Sequence, residues 1–269
     1  MKKKIVILGL FFTLISASSL LLVSCEKPGE CVESTGDIIA QEVEIEMPTA
    51  ADSIKRIYVE RGIELIVTQG PIFKVTVQTG SNLMDNIEVK REGTVLHLKD
   101  NTTCNWVREL GMTKVYVTTP KLEDIYSKTE RNISSNGVLT FPILRLFALD
   151  KDGDGQAGAG TGDFFININN GQLVIENNNV ARYYISGQTN QALMNFYAGD
   201  GRIEAQNLIA QQIKIFHRGS NDMIVHPVQS LVGTDLYGGG LFSTGNLISV
   251  THPPDFNIPV HYTGSVIFQ

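Results

Sequence analysis

Asp150, Asp152 and Asp154 set acidic oxygens at alternate positions ahead of Gly155, the spacing with which a calcium loop begins. Position 12 of such a loop would be Thr161, where a bidentate glutamate should close the coordination sphere, and no helical pattern flanks the segment. An enlarged glycine-rich turn is expected there, with weak calcium binding as the alternative. Gly153, Gly155 and Gly158 also fit G-x-G-x-x-G, but a dinucleotide loop opens a helix that receives the pyrophosphate. Here more glycine and a strand from Phe165 to Ile168 follow instead. His97, His217, His226, His252 and His261 show neither H-x-x-x-H nor H-E-x-x-H spacing, so neither a metal site nor any cofactor is expected. No G-x-S-x-G elbow offers a nucleophile. Glu123 and Asp124 are adjacent and should face opposite sides of a strand. The acidic group from 150 to 163 stands on a poor platform for the fixed carboxylate separation that sugar hydrolysis requires. No catalytic residue is therefore expected.

Aromatic residues offer binding chemistry instead. Tyr184, Tyr197, Phe216 and Tyr237 follow one another at intervals of 13 to 21 residues, with Tyr183 and Phe196 beside the first two. Outward rings at that recurrence would form a stripe able to stack on sugar rings or dock a protein, whereas inward rings would simply fill a core.

Something must hold such residues in place and at a location. Lys2, Lys3 and Lys4 precede an apolar stretch from Ile5 to Val23, the build of a secretory signal, with an uncleaved membrane anchor as the alternative. Leu22-Val23-Ser24-Cys25 resembles the bacterial lipoprotein box, which implies cleavage after residue 24 and lipid on the Cys25 sulfur, palmitate among its acyl chains. Each buried methylene contributes about 0.8 kcal/mol, so several acyl chains hold a protein firmly on a membrane. Glu26 is not the aspartate associated with inner-membrane retention, which points to the outer membrane, facing either the periplasm or the cell surface. Cys31 and Cys104 are natural disulfide partners in an oxidising envelope, with two buried free thiols as the alternative. Such a link would close a long loop and stabilise the fold by roughly 4 kcal/mol.

Composition sets the fold class. The 269 residues are 42% hydrophobic and include 25 glycines. Lys and Arg number 22 against 28 Asp and Glu, and loss of the first 24 residues would remove three lysines and no acid. Nucleic acid is not an expected partner, because phosphate binding needs clustered positive charge. Apolar residues alternate with polar or aromatic ones at Ile57/Val59, Val75/Val77, Ile87/Val89, Leu96/Leu98, Val115/Val117, Ile166/Ile168 and Ile213/Ile215, a strand period throughout. Thr79-Gly80, Glu92-Gly93, Asn136-Gly137 and Asn170-Gly171 are expected turns.

The second half repeats. A shift of 20 superimposes Gly199 on Gly219, Ile203 on Met223, Ala205 on Val225 and Leu208 on Val228. Self-similarity at such a period points to an all-β solenoid of roughly 20-residue coils, with an antiparallel sandwich as the competing architecture. Pro253, Pro254 and Pro259 unsuit the tail for a regular central strand, so residues 249–269 are expected to cap the last coil.

Several segments together carry a family resemblance. Val115-Tyr116-Val117-Thr118-Thr119-Pro120-Lys121-Leu122-Glu123-Asp124-Ile125 looks like a strand, proline and leucine entry. Arg131-Asn132-Ile133 stands where a GIN triplet would sit, with arginine in place of its glycine. Gly199-Asp200-Gly201 and Gly219-Ser220-Asn221-Asp222 are similar to recurring G-S-G-D turns, and Cys31 and Cys104-Asn105-Trp106 match a lipoprotein subgroup. In these features the chain resembles the auto-transporter adhesins with a head GIN domain, common in Bacteroidetes lipoproteins. The resemblance implies a right-handed parallel β-helix-like fold and a role at the cell surface or envelope.

The expected organisation is a signal peptide over 1–24, a lipidated tether and N-terminal strand segment over 25–51, a head GIN-type solenoid over 52–248 and a cap over 249–269. The expected function is a non-enzymatic adhesin or surface-binding module, anchored to the membrane and presenting its body to a glycan or protein ligand. The alternatives are a polysaccharide-active β-helix enzyme and a structural envelope component without a ligand.

Overall fold

The computed structural model describes residues 30–46, 53–102, 111–150 and 160–233, with the backbone of 248–250, 260–261 and 266–268. Alternation in the chain becomes strand in the order β1 (Ile38–Val43), β2 (Arg56–Val59), β3 (Ile63–Gln69), β4 (Lys74–Gly80), β5 (Ile87–Glu92) and β6 (Val95–Asp100). Next come β7 (Thr113–Thr119), β8 (Asp124–Ser127), β9 (Ile133–Leu139) and β10 (Ile143–Ala148). Four long strands follow: β11 (Phe164–Asn177), β12 (Arg182–Phe196), β13 (Arg202–His217) and β14 (Met223–Gly233). Three short ones, β15 (Ile248–Val250), β16 (Val260–His261) and β17 (Val266–Phe268), complete the seventeen strands among the described residues, all in one sheet. The helical content there is two 3-10 turns, Glu30–Val32 and Met84–Asn86.

β-Branched residues at every second position explain why these segments extend and which face they bury. Ile57, Val59, Ile63, Leu65 and Val67 are fully buried, while Tyr58, Glu64 and Ile66 between them stay partly exposed. Each such aliphatic burial contributes about 1.5–3 kcal/mol.

The all-β expectation holds, and the strand directions are mixed. Parallel pairs join β3 to β7 and β9, β2 to β6 and β8, β8 to β10, and β11 to β12, β13 and β14 in turn. Antiparallel pairs join β1 to β4, β4 to β7 and β5 to β6, so the N-terminal part departs from a uniformly parallel arrangement. The long strands serve two hydrogen-bonded rows at once. The first half of β11 pairs with β9 and its second half with β10, and Phe164, Ile166, Leu173 and Ile175 from both halves enter one core.

The twenty-residue superposition is realised at two of its inward pairs: Ile203 pairs with Met223 and Ala205 with Val225. Its glycine turns also meet, since Ser220 N donates to Gly199 O at 2.9 Å and Asn221 Nδ2 to Asp200 O at 3.4 Å. Leu208 and Val228 do not pair. The register shifts after Ala205, so that Ile209 meets His226, because β13 carries extra residues with no counterpart on β14. Asn170-Gly171 is not a turn between strands but a corner within the unbroken β11, fastened by Gly171 N to Pro142 O at 3.1 Å. Asn136-Gly137 likewise lies inside β9, with Gly137 at φ +91°. In the expected cap, β15 and β17 extend the parallel row beyond β14, while the stretch from Pro253 to Pro259 lies outside the described residues.

Candidate binding groove

Phe165 and Tyr184 occupy paired outward positions on β11 and β12, and their rings stack at 4.7 Å between centroids with 6° between planes. Phe165 is 41% exposed. The row ends at Tyr184, because its partner on β13 is Glu204. Beside the stack lies an open groove of about 350 Å³, lined on its other sides by Ser135, Asn167, Ser186, Gln206 and Asn207.

Register shifts build this groove. Between β9 and β11 the pairing passes from Ser134–Phe165 to Val138–Asn167. Between β12 and β13 it passes from Tyr184–Glu204 to Ser186–Asn207. The β13–β14 shift after Ala205 falls at the same level of the sheet. Gln206 has no ladder partner on β12 or β14 and Asn207 has none on β14, and the bulges re-aim their side chains so that both are exposed despite being consecutive. Asn167 N donates to Ser135 Oγ at 2.9 Å, holding the first bulge. Gly187, at φ +104°, passes so close to Ile168 O that a Cβ would stand 1.9 Å from it.

Charge in the groove is already engaged. Among the described residues Glu204 is its one carboxylate, and it forms an ion pair with Arg202 Nε at 2.5 Å, while Arg202 Nη1 reaches Asp222 at 2.9 Å. The hydrogen bond from Arg202 to Glu204 raises the guanidinium pKa above its ordinary value, so this cation stays charged and holds both acids.

A second outward feature lies on the other row. His97, Tyr58, Tyr126 and Phe147 stack at successive centroid distances of 5.2, 4.5 and 4.2 Å across β6, β2, β8 and β10. Arg56 lies 5.1 Å over the Tyr126 ring, and Lys128 lies 5.7 Å from that of Tyr58. This ladder is not visible in the local sequence. Tyr58 and Tyr126 are 68 positions apart, and only the pairing of Ile57 with Ile125 would have revealed it.

The residues expected from sequence to act are placed as follows. Tyr184 lines the groove. Tyr197 is half-buried, its hydroxyl donating to Glu176, and does not line the groove. Phe216 is 1% exposed, so it cannot belong to an outward stripe; at the end of β13 alternation fails, and Ile215, Phe216 and His217 are all buried. Tyr237 lies outside the described residues. Glu123 and Asp124 do not face opposite sides: Arg145 Nη2 lies 3.8 Å from Glu123 and its Nε 2.5 Å from Asp124. Glu123 precedes β8, so strand alternation does not govern it. Asp150 is bonded to the turn between β11 and β12, its amide donating to Asn178 Oδ1 and its carboxylate accepting from Asn179 Nδ2, each at 2.8 Å. Asp152 and Asp154 are outside the described residues, as are Cys25, Cys104 and the stretch from Ile5 to Val23. Cys31 is 3% exposed and disulfide-bonded. Among the described residues no helix is long and apolar enough to cross a membrane.

A family model described as "putative auto-transporter adhesin, head GIN domain" matches residues 53–246. The chain belongs to that family. Solved structures share the fold. One is a "putative adhesin" from Bacteroides fragilis, with a TM-score of 0.66 and 17% identity over 88% of this chain and 99% of that one. A "putative lipid binding protein" and a "putative adhesin", both from Parabacteroides distasonis, give TM-scores of 0.56 and 0.55 at 15% and 12% identity. Each match covers 88% of this chain, with 99% and 100% of the other chains respectively. No curated protein matches. The head GIN match begins at the residues that open the core, Ser53 and Ile54, and runs past β14.

Proposed function

We propose that this head GIN protein is a non-enzymatic binding module of adhesin type, held at the outer membrane by lipid on Cys25 and stapled near its tether by a Cys31–Cys104 disulfide. In this reading the paired strands of β11 to β14 are successive coils of a right-handed solenoid, and the function lies in side chains that face outward from them. The observation that carries it is the groove beside Phe165 and Tyr184: an aromatic pair, several amides and hydroxyls, and a single carboxylate already neutralised by Arg202. Such a surface can hold a ligand, and it lacks the two independently placed acids of a glycosidase.

The adjacent acids Glu123 and Asp124 are committed to Lys55, Arg56 and Arg145, and the Asp124 side chain is only 4% exposed. They support architecture rather than catalysis. The test is to label cells producing the full chain with radioactive palmitate, then to pass the detergent-solubilised chain over immobilised glycans and extracellular-matrix proteins. Palmitate incorporation that is lost in Cys25→Ala, together with saturable binding to at least one surface, is expected. Failure to bind any of them counts against the module.

A further inference from the structure

We propose that the groove at the β11–β13 register shifts is a binding site for a neutral pyranose unit of a polysaccharide; this rests on the binding-module reading above and names its site and ligand class. A sugar ring has an apolar face of C–H bonds and a rim of hydroxyls. Its binding site therefore needs an aromatic surface with amide and hydroxyl groups around it. Phe165 and Tyr184 supply the surface, and because the stack stops at Glu204, the far side of the Tyr184 ring carries no further aromatic neighbour among the described residues.

The rim groups are available. The side chains of Asn167, Ser186, Gln206 and Asn207 and the Tyr184 hydroxyl have no hydrogen-bond partner among the described residues, whereas the Asn179, Ser220 and Asn221 side chains in the neighbouring turns are bonded. An amide offers both donors and an acceptor, which suits hydroxyls that do both. The bulges make this arrangement a built one: they turn two consecutive side chains, Gln206 and Asn207, toward solvent where strand alternation would bury one.

Charge selects the sugar. Among the described residues no lysine or arginine lines the groove, and its carboxylate, Glu204, is paired with Arg202, which also holds Asp222, so no free cation is offered to a uronate or a sulfate. A neutral hexose or pentose needs none.

The experiment measures binding of the full chain in detergent to hexasaccharides of β-linked glucose, β-linked xylose and α-linked mannose, with oligogalacturonate as the acidic comparison, by titration calorimetry. At least one neutral hexasaccharide should bind and oligogalacturonate should not. Tyr184→Ala should weaken that binding about tenfold or more, corresponding to about 1.4 kcal/mol. The double variant Gln206→Ala/Asn207→Ala, which removes exposed side chains without touching the core, should weaken it while leaving the thermal midpoint in place. Binding of a neutral hexasaccharide that both variants retain overturns the site. Binding only to oligogalacturonate or to a matrix protein overturns the ligand class and leaves the module standing, whereas no binding to any probe overturns both.

Discussion

Arg56 Nη2 lies 2.9 Å from Asp124 Oδ2, on a carboxylate whose side chain is only 4% exposed. Arg145 takes the other oxygen from the opposite neighbouring strand, and both arginines are in register with the aspartate. The three residues thus cross-link β2, β8 and β10 on their outer side.

The asymmetry of burial sets the expected mutational order. Asp124→Ala frees two guanidiniums that are 38% and 39% exposed and can turn to water, so a cost of about 1–3 kcal/mol is expected. Arg56→Met/Arg145→Met strands a buried carboxylate without a cation, and about 3–5 kcal/mol is expected. Urea unfolding of the two variants checks the order; equal midpoints would show that the carboxylate reaches water by itself.

Gly187 and Gly93 both have positive φ, at +104° and +61°, but only the first is crowded. Gly187→Ala drives a Cβ into the Ile168 carbonyl and should cost about 2–4 kcal/mol. Gly93→Ala meets nothing within 4 Å among the described residues and should cost about 1 kcal/mol. Thermal midpoints of the two variants give the comparison.

His217 supplies a pH dependence. Burial lowers its pKa below the ordinary value of 6.5, against the raising effects of its hydrogen bond to Asn221 O and of Asp222. The ring Nδ1 is buried without a hydrogen-bond partner among the described residues. As pH falls below 6.5 the unfolded chain takes up a proton that the folded ring resists, so the stability associated with a neutral His217 is present above 6.5 and declines toward the folded pKa. Unfolding midpoints at pH 7 and pH 5 should therefore differ more for the native chain than for His217→Gln. An equal difference in the two chains would mean that the imidazole is not the group responsible.

The bond at Cys31 offers a direct check on connectivity. Peptide mapping without reduction should recover Cys31 linked to Cys104, and Cys31→Ser should lower stability by roughly 4 kcal/mol, the entropic value for a loop of this length. A Cys31 peptide joined to anything else would redraw the N-terminal segment.

Local pattern carried part of this structure, and partner strands decided the remainder. Ile203 with Met223 was legible because glycine turns recur in step with the alternation, and turn chemistry and burial period are both written into neighbouring residues. Direction was not, since β4 alternates as cleanly as β3 yet runs antiparallel to β7 while β3 runs parallel to it. Tyr184 was legible as an aromatic at a recurring position, but Gln206 and Asn207 were not, because a bulge exists only relative to the strand beside it. Phe216 misled for a related reason: spacing places a ring, and only tertiary packing determines whether water reaches it.

Gln206, Asn207 and Leu208 have no partner on β14, although Asn207 and Leu208 pair with Ser186 and Gly187 on β12. Leu208 stays in the core while Gln206 and Asn207 face solvent, so those two side chains can be exchanged while the greasy positions on either flank stay anchored through Val225 and His226. Surface chemistry and foldability are thereby uncoupled at this corner: the outward pair can change its polarity or size while the interior remains untouched.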